Sequence, residues 1–167
     1  MKPLELIIAP HPIFKQKAQL VTKFDVELKH QTECMFDVLY HHQGIGLGAN
    51  MVGLLKRIVI IDLQKDSQHT PMVFINPEII SASAEQQAFH EASLSFPNIG
   101  AEITRPKTIN LKYQNLSGVE KNLKAEGWLA TVIQHEMDYL DGKTFLDHLA
   151  PMKRNTLLRK LKKNKFK

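Results

Sequence analysis

A short segment near the end of the chain carries the residues best suited to chemistry. His135 and Glu136 begin an H-E-x-x-H pattern, in which two histidines on one helix face hold a divalent metal and the glutamate acts as general base. The position of the second histidine is Tyr139. A phenol with its ordinary pKa of about 10 is a poor ligand for zinc or Fe²⁺ unless it is ionised. Taken alone, the pair fits a core histidine beside a surface glutamate better than a metal site.

Two further stretches change that interpretation. They are GIGLGANMVG at 44–53 and HEASLSFP at 90–97, and they precede QHEMDYLDG at 134–142. In this order the three resemble the signatures of the peptide deformylase family, roughly G-[IV]-G-L-A-A-x-Q, E-G-C-L-S and Q-H-E-x-D-H-L-x-G. The resemblance extends along nearly the whole chain, from HP near the start to FLDHLAPMKR after the third signature.

The resemblance implies hydrolysis of the N-formyl group from the initiator methionine of new proteins. In the family, a divalent metal (iron, zinc or nickel) is held by the cysteine of the second signature and both histidines of the third. The glutamate of the third signature is the general base. The glutamine of the first signature and the backbone N–H of the leucine after the cysteine hold the formyl oxygen as it becomes an oxyanion.

Carried over to this chain, the resemblance breaks at the metal. The cysteine position is Ser93 and the second histidine position is Tyr139, whereas His135 is retained. A serine hydroxyl is neutral at neutral pH and adds little metal affinity. We therefore expect a degenerate metal site, no bound metal and no cofactor. A site rebuilt from Glu91, His135, Tyr139 and a water is the alternative, and an active enzyme would need iron, zinc or nickel.

The remaining catalytic positions are partly kept. Glu136 stands at the general-base position and Leu94 at the backbone oxyanion position, but Met51 replaces the glutamine and cannot donate a hydrogen bond. Loss of one oxyanion donor typically costs ~100- to 1000-fold in rate. We expect the Tyr139 hydroxyl to fill the old metal space and to bond Ser93 or Glu136.

An apolar substrate pocket is also expected from the resemblance. Its lining would be Ile45, Gly46, Trp128, Thr131 and Val132. The family usually has a smaller aliphatic residue at the position of Trp128. The larger tryptophan side chain would narrow or fill the pocket here. Simple core packing is the favoured explanation of this tryptophan.

The elements that must position these residues are those of an α+β domain. β-Branched runs at 57–63 and 72–80 predict strands, and strand patterns continue to Gly127. A helix is predicted over about 127–141, with Gly142 as its stop. The resemblance implies antiparallel or mixed sheets wrapped around this helix, with a helix at each end. We expect one domain over 1–150, with 151–167 as its C-terminal helix.

Composition adds the setting. The one cysteine excludes an internal disulfide, and no apolar run reaches the ~20 residues of a membrane span, so we expect a cytoplasmic protein without a signal peptide. The formal net charge is +5, and the last sixteen residues hold eight Lys or Arg and no acidic residue. A basic tail at 152–167 favours RNA or the ribosome, although a solvated helix explains it equally well.

Three functions remain open on the sequence. The first is a deformylase-like protein without metal or deformylase activity, which acts by binding the ribosome, a nascent chain or a peptide. The second is an active hydrolase with an unusual metal site or an altered substrate. The third is a regulator that binds a formylated peptide or a small molecule without cleaving it.

Overall fold

The computed structural model describes residues 2–165, with the side chain of Lys165 left aside, so residues 166 and 167 of the basic tail lie outside it. Its helices are α1 (Val26–His41), α2 (Gly127–Leu140) and α3 (Pro151–Lys165). Its strands are β1 (Gly46–Gly48), β2 (Ile58–Ile61), β3 (Met72–Ala82), β4 (Gln86–Ser93), β5 (Phe96–Pro106), β6 (Thr108–Gln114) and β7 (Glu120–Glu126). The order of the helices and strands, and the bounds of the central helix, agree with the α+β fold that we predicted from the sequence.

The strands form two antiparallel groups. A five-stranded sheet has the order β1-β2-β3-β6-β7, and β4 and β5 pair as a separate hairpin. In the hairpin, Glu91 is opposite Ala101, and the register shifts by a bulge between Ala92 and Ser93. The β-branched run of β2 is buried on both faces, which explains its continuous apolar sequence. The hairpin and the sheet together enclose the central helix.

Helix α2 lies in the middle of the molecule. Ten of its residues, from Ala130 to Leu140, are buried, so both polar and apolar faces are inside the protein. Gly142 follows with φ +72°, and a Cβ there would come within 2.8 Å of the Lys15 backbone oxygen. A residue other than glycine would be strained there, which fixes the end of the helix.

Helix α1 begins with a side-chain cap. The Asp25 side chain accepts a hydrogen bond from the Leu28 N–H at 2.9 Å and caps the helix. At the other end of the chain, Leu161 of α3 is 2% exposed and belongs to the main core, with Leu157 and Leu158 packed against it. Within the described residues, α3 is thus part of the domain. None of the helices described is long and apolar enough to span a membrane.

Candidate functional site

The site lies where α2 passes under the end of β4 and beside β1. Helix α2 presents His135, Glu136 and Tyr139, all of them buried, while Ser93 closes β4. Residues four apart lie on one helix face, so His135 and Tyr139 point the same way. Their rings are 5.8 Å apart between centroids. The sequence-predicted residues of the third and second signatures therefore do converge.

The position of the metal ligands is filled by a pair of hydroxyls. Tyr139 OH and Ser93 Oγ lie 2.5 Å apart, and Ser93 Oγ also accepts a hydrogen bond from the Ser95 N–H at 3.2 Å. Of the two partners expected for the phenol, it contacts Ser93. The Tyr139 ring is fully buried, with Phe14 at 5.7 Å and Phe96 at 6.5 Å between ring centroids. Each hydroxyl therefore has a partner within the protein.

Burial keeps the phenol neutral. Loss of solvent, followed by the nearby charge of Glu136, raises the pKa of Tyr139 well above 10.0. A neutral phenol bonded to a neutral serine offers no anionic donor to a metal. His135 Nε2 and Glu136 Oε1 lie 3.9 Å apart and would supply two ligands, fewer than the three of a catalytic zinc site.

Glu91 does not complete a metal site. Arg105 grips its carboxylate with two hydrogen bonds, from Nε to Oε2 at 2.7 Å and from Nη2 to Oε1 at 2.9 Å. His135 Nδ1 shares the second oxygen at 2.7 Å. Across residues 2–165, no group of three or more His, Cys, Asp and Glu side chains is placed to hold a metal. The donor set of this chain does not fit a tightly held divalent ion, and the rebuilt site of Glu91, His135 and Tyr139 has no free carboxylate.

The ion pair behind the site fixes the orientation of the imidazole. Burial alone would raise the pKa of Glu91, but hydrogen bonds from His135 and Arg105 outweigh it and lower that pKa. Burial likewise opposes the charged form of His135, yet the hydrogen bond to Glu91 and the charges of Glu136 and Glu91 raise its pKa. Nδ1 of His135 therefore faces the ion pair of Glu91 and Arg105, which we call the clamp, and Nε2 faces Glu136.

Sequence reasoning missed the outer part of this network. Arg105 also contacts Asp138 Oδ2 at 3.0 Å, and His148 Nε2 reaches the same oxygen at 2.9 Å. Arg105 is 3% exposed. The available signal was the alternation of β5, in which Arg105 shares the inward face with Ile99, Ala101 and Ile103.

Glu136 has no such support. It is 5% exposed, and its Oε2 has no hydrogen-bond partner among the described residues. Burial raises the pKa of Glu136 to about 7, although the charge of His135 and the Gly48 backbone partly oppose the rise. A carboxyl with a pKa near neutrality can accept or release a proton at physiological pH.

The two oxyanion positions are occupied differently. Met51 is 1% exposed, and its Sδ accepts the Gly48 N–H at 3.4 Å. Leu94 lies in the turn after β4, and its Cδ1 would come within 2.6 Å of a Cβ at Gly44. Neither residue lines the cavity beside Glu136. Met51 therefore packs as a core side chain at the place where a donor is expected.

A cavity of about 60 Å³ opens beside Glu136. Its lining combines apolar walls with the buried polar groups of the site: Ile45, Glu91, Ala92, Trp128, Thr131, Val132, His135 and Glu136. Gly46 is next to this cavity but does not line it, and a Cβ there would lie 3.0 Å from Glu136 Oε1. The absence of a side chain at Gly46 leaves room for the carboxylate.

The preference for simple core packing of Trp128 was wrong. Its side chain is 39% exposed and packs edge-on against Phe89, with ring centroids 5.1 Å apart. The indole forms a wall of the cavity and reaches solvent. Beside it, Gln87 donates to the Gly127 carbonyl at 2.7 Å and to Thr131 Oγ1 at 3.0 Å, which ties β4 to the helix.

Comparison with known proteins agrees with this architecture. The family model for polypeptide deformylase matches residues 3–155. A "peptide deformylase-like" protein of Rickettsia conorii is 49% identical over 160 residues, covering 96% of this chain and 87% of that protein. "Peptide deformylase 1" of the same organism is 40% identical over 171 residues, covering 99% and 98%. The crystal structure of a peptide deformylase from Legionella pneumophila superposes with a TM-score of 0.91 at 33% identity, covering 98% and 96%.

Proposed function

Because this chain belongs to the peptide deformylase family, we propose that it binds the N-terminal end of a peptide in the family's cleft without hydrolysing it through a metal. The cavity beside Glu136 retains apolar walls from Ile45, Val132 and Trp128, which suit an unbranched apolar side chain. Around that cavity, the described residues provide neither a set of metal ligands nor a side-chain donor for an oxyanion. Binding is therefore the function that the geometry supports best.

The observation that carries the proposal is the hydrogen bond between Ser93 and Tyr139. The two hydroxyls lie 2.5 Å apart, and the contact gives the fully buried Tyr139 hydroxyl a partner that it would otherwise lack. To bind a metal, this chain would have to break that bond and ionise a phenol whose pKa is raised well above 10.0. That cost opposes metal binding at neutral pH.

The residue at the oxyanion position, Met51, supports the same proposal. Met51 Sδ is an acceptor and already takes the Gly48 N–H. A tetrahedral intermediate formed here would lack the side-chain donor that stabilises its charge. Without that donor and without a metal, we expect turnover of formyl-methionyl peptides to be negligible.

The test combines three measurements on the full chain. Elemental analysis after purification without chelators should find far less than one metal per chain, and formyl-Met-Ala-Ser should not be deformylated when iron, nickel or zinc is supplied. Titration with methionyl peptides should change the emission of Trp128, which is the only tryptophan in the sequence and a wall of the cavity. A stoichiometric metal with turnover contradicts the proposal, and so does an unchanged emission spectrum together with no heat of binding in calorimetry.

An active hydrolase is the second candidate, and the names of the relatives favour it. One relative of Rickettsia conorii is named "peptide deformylase 1" and is 40% identical to this chain. Because its pKa is raised to about 7, Glu136 can also accept and release a proton near neutral pH, as a general base must. This candidate predicts turnover that Glu136→Ala abolishes and a chelator removes. Metal-free protein that turns over no formylated peptide would exclude it.

We further propose that the exposed face of α3 contacts a polyanion such as ribosomal RNA. The cations on that face are exposed: Lys153, Arg159, Lys160, Lys162 and Lys163. Deleting 152–167 is a poor test because Leu161 is buried in the core. Changing the five cations to glutamine should instead weaken co-sedimentation with ribosomes and flatten its salt dependence. Unchanged sedimentation would contradict the proposal.

A further inference from the structure

A groove of about 450 Å³ lies between the N-terminal segment and the first half of α3. Its lining residues come from 9–15, 142–147 and 154–158, and we call it the α3 groove. No residue of this lining belongs to the cavity beside Glu136, so the two are separate sites. The volume lies within the roughly 300–1,000 Å³ of clefts that hold ligands.

The floor of the α3 groove is apolar and belongs to the main core. Phe14 and Leu146 are 5% and 2% exposed, and the half-buried Leu158 packs against the same core. The Phe14 ring is supported from below by Phe96, with ring centroids 5.5 Å apart. An aliphatic side chain placed on this floor would therefore meet a preformed apolar surface, which lowers the cost of binding.

The rim of the α3 groove carries hydrogen-bond donors that are available to a ligand. Lys15 is exposed at the end of the 3₁₀ helix Pro12–Lys15. Arg154 Nη1 lies 3.8 Å from Asp147 Oδ1, which is beyond hydrogen-bonding distance, so this contact uses none of the guanidinium N–H groups. His11 Nδ1 accepts the Ile13 N–H at 3.1 Å, and a neutral imidazole then carries its hydrogen on Nε2.

Positive charge exceeds negative charge around this groove. Among the described residues that line it, Asp147 is the one acid, and it faces two cations, Lys15 and Arg154. Asp147 Oδ2 already accepts the Thr144 N–H at 2.8 Å. The α3 groove therefore offers free donors and unneutralised positive charge, which are complementary to an acidic ligand.

An acidic peptide fits this combination better than a nucleic acid does. Single-stranded nucleic acids bind through bases that stack on aromatic rings, and the phenyl ring of this groove, Phe14, is only 5% exposed. A phosphate backbone would also bring its charges close to Asp147. A peptide can instead place an aliphatic side chain on the floor and its neighbouring carboxylates beside Lys15 and Arg154.

We propose that the α3 groove docks an extended acidic segment of a partner protein, with one aliphatic side chain on the floor and carboxylates beside Lys15 and Arg154. This goes beyond the binding of peptide N-termini, because it uses a different surface and needs no free end of the partner. The contact is small for a protein interface, so the complex is transient, with a dissociation constant on the order of 10–100 µM.

Calorimetry on the full chain tests the two parts of the ligand. The probe is acetyl-Glu-Glu-Leu-Glu-Glu-amide, whose charges are all carboxylates. Replacing its leucine with serine should weaken binding about 5- to 20-fold, because the floor then covers little apolar surface. Acetyl-Lys-Lys-Leu-Lys-Lys-amide should not bind. Equal affinities of the leucine and serine peptides overturn the proposal, and so does a leucine peptide that fails to bind at about 1 mM.

Two double variants locate the binding surface. Lys15→Gln/Arg154→Gln removes the rim cations and should weaken the leucine peptide about 5- to 30-fold. Lys121→Gln/Lys124→Gln changes the net charge equally on the exposed strand β7, outside the groove, and should keep the affinity within about twofold. Circular dichroism and thermal midpoints check that both fold. Equal affinities of the two folded variants would mean that the peptide binds elsewhere and would overturn the proposal.

Decauridylate tests the other class of partner. We expect it to leave the leucine peptide in place, since the groove offers its bases no exposed phenyl ring. Displacement of the peptide by decauridylate, together with loss of decauridylate binding in Lys15→Gln/Arg154→Gln, would assign the groove to nucleic acid and overturn the proposal. All the peptides are acetylated, so failure here does not bear on the binding of free N-termini in the cleft.

Discussion

The Tyr139 and Ser93 hydroxyls lie 2.5 Å apart and join the central helix to the end of β4. The Tyr139 side chain is completely buried, so it reaches neither solvent nor the cavity beside Glu136. The bond therefore ties the two elements together directly. A residue without a hydroxyl at position 93 would leave the buried Tyr139 hydroxyl without this partner, so the two residues are understood best as a pair.

Removing the phenol oxygen should measure that bond. We predict that Tyr139→Phe lowers the free energy of unfolding by about 1–2 kcal/mol, because Ser93 loses its buried partner while the ring packing is kept. Urea denaturation followed by circular dichroism gives the value. Tyr113→Phe is the control, since the Tyr113 ring is half-buried and packs on Phe74 without the hydroxyl–hydroxyl contact. Equal losses in the two variants would contradict the prediction.

The clamp behind the imidazole should be far more important for stability. Arg105→Met leaves the Glu91 carboxylate buried without its bidentate partner, and we predict a loss of about 3–5 kcal/mol. Changing Lys107 to methionine breaks the exposed pair with Glu85 and should cost less than about 1 kcal/mol. Urea denaturation of both variants tests the difference. A loss from Arg105→Met no larger than that from Lys107→Met would show that the clamp is not structural.

The clamp also shows where sequence reasoning stops. Alternation along β5 indicates that Arg105 shares the side of Ile103 and Ala101, but it names no partner for a buried charge. That partner, Glu91, belongs to the neighbouring strand, where it lies opposite Ala101 while Arg105 lies opposite Gln87. Pairings between distant parts of the chain are set by tertiary packing, which local patterns do not encode.

Local signals were sufficient elsewhere. β-Branched runs located β2 and β3, and Gly142 located the end of α2, because these depend on neighbouring residues. Four-residue spacing puts Trp128 and Val132 on one face of the predicted helix, and core packing was the explanation favoured for this tryptophan. The structure leaves the indole 39% exposed in the first turn of α2. Spacing gives the direction of a side chain but not the depth of packing at a helix end.

Restoring the family's ligands should restore the metal. We predict that Ser93→Cys/Tyr139→His/Met51→Gln binds about one zinc or nickel ion per chain and gains measurable deformylation of formyl-Met-Ala-Ser. A thiolate and a second imidazole would then join His135, which gives the three ligands of a catalytic site. Ser93→Cys alone supplies one added ligand and should stay inactive. A folded triple variant without metal would contradict the view that ligand identity is what limits the site.

The pH dependence of stability should report the unsupported carboxylate. Burial raises the pKa of Glu136 from 4.5 to about 7, so the folded state holds its proton more tightly than the unfolded state does. Its contribution is fully favourable below pH 4.5 and is lost as the pH rises towards 7. Glu136→Gln cannot lose a proton, and we predict that it is about as stable as the parent chain at pH 4.5 but roughly 3 kcal/mol more stable at pH 8.

Urea denaturation of both proteins between pH 4.5 and 8 measures that difference. Glu120→Gln is the control, since Glu120 lies exposed at the sheet edge, and its stability should track the parent chain within about 0.5 kcal/mol throughout. A constant gap between Glu136→Gln and the parent chain would mean that the carboxylate is not strained by burial. A gap that opens between pH 4.5 and 7 would show that burial of this carboxylate costs stability.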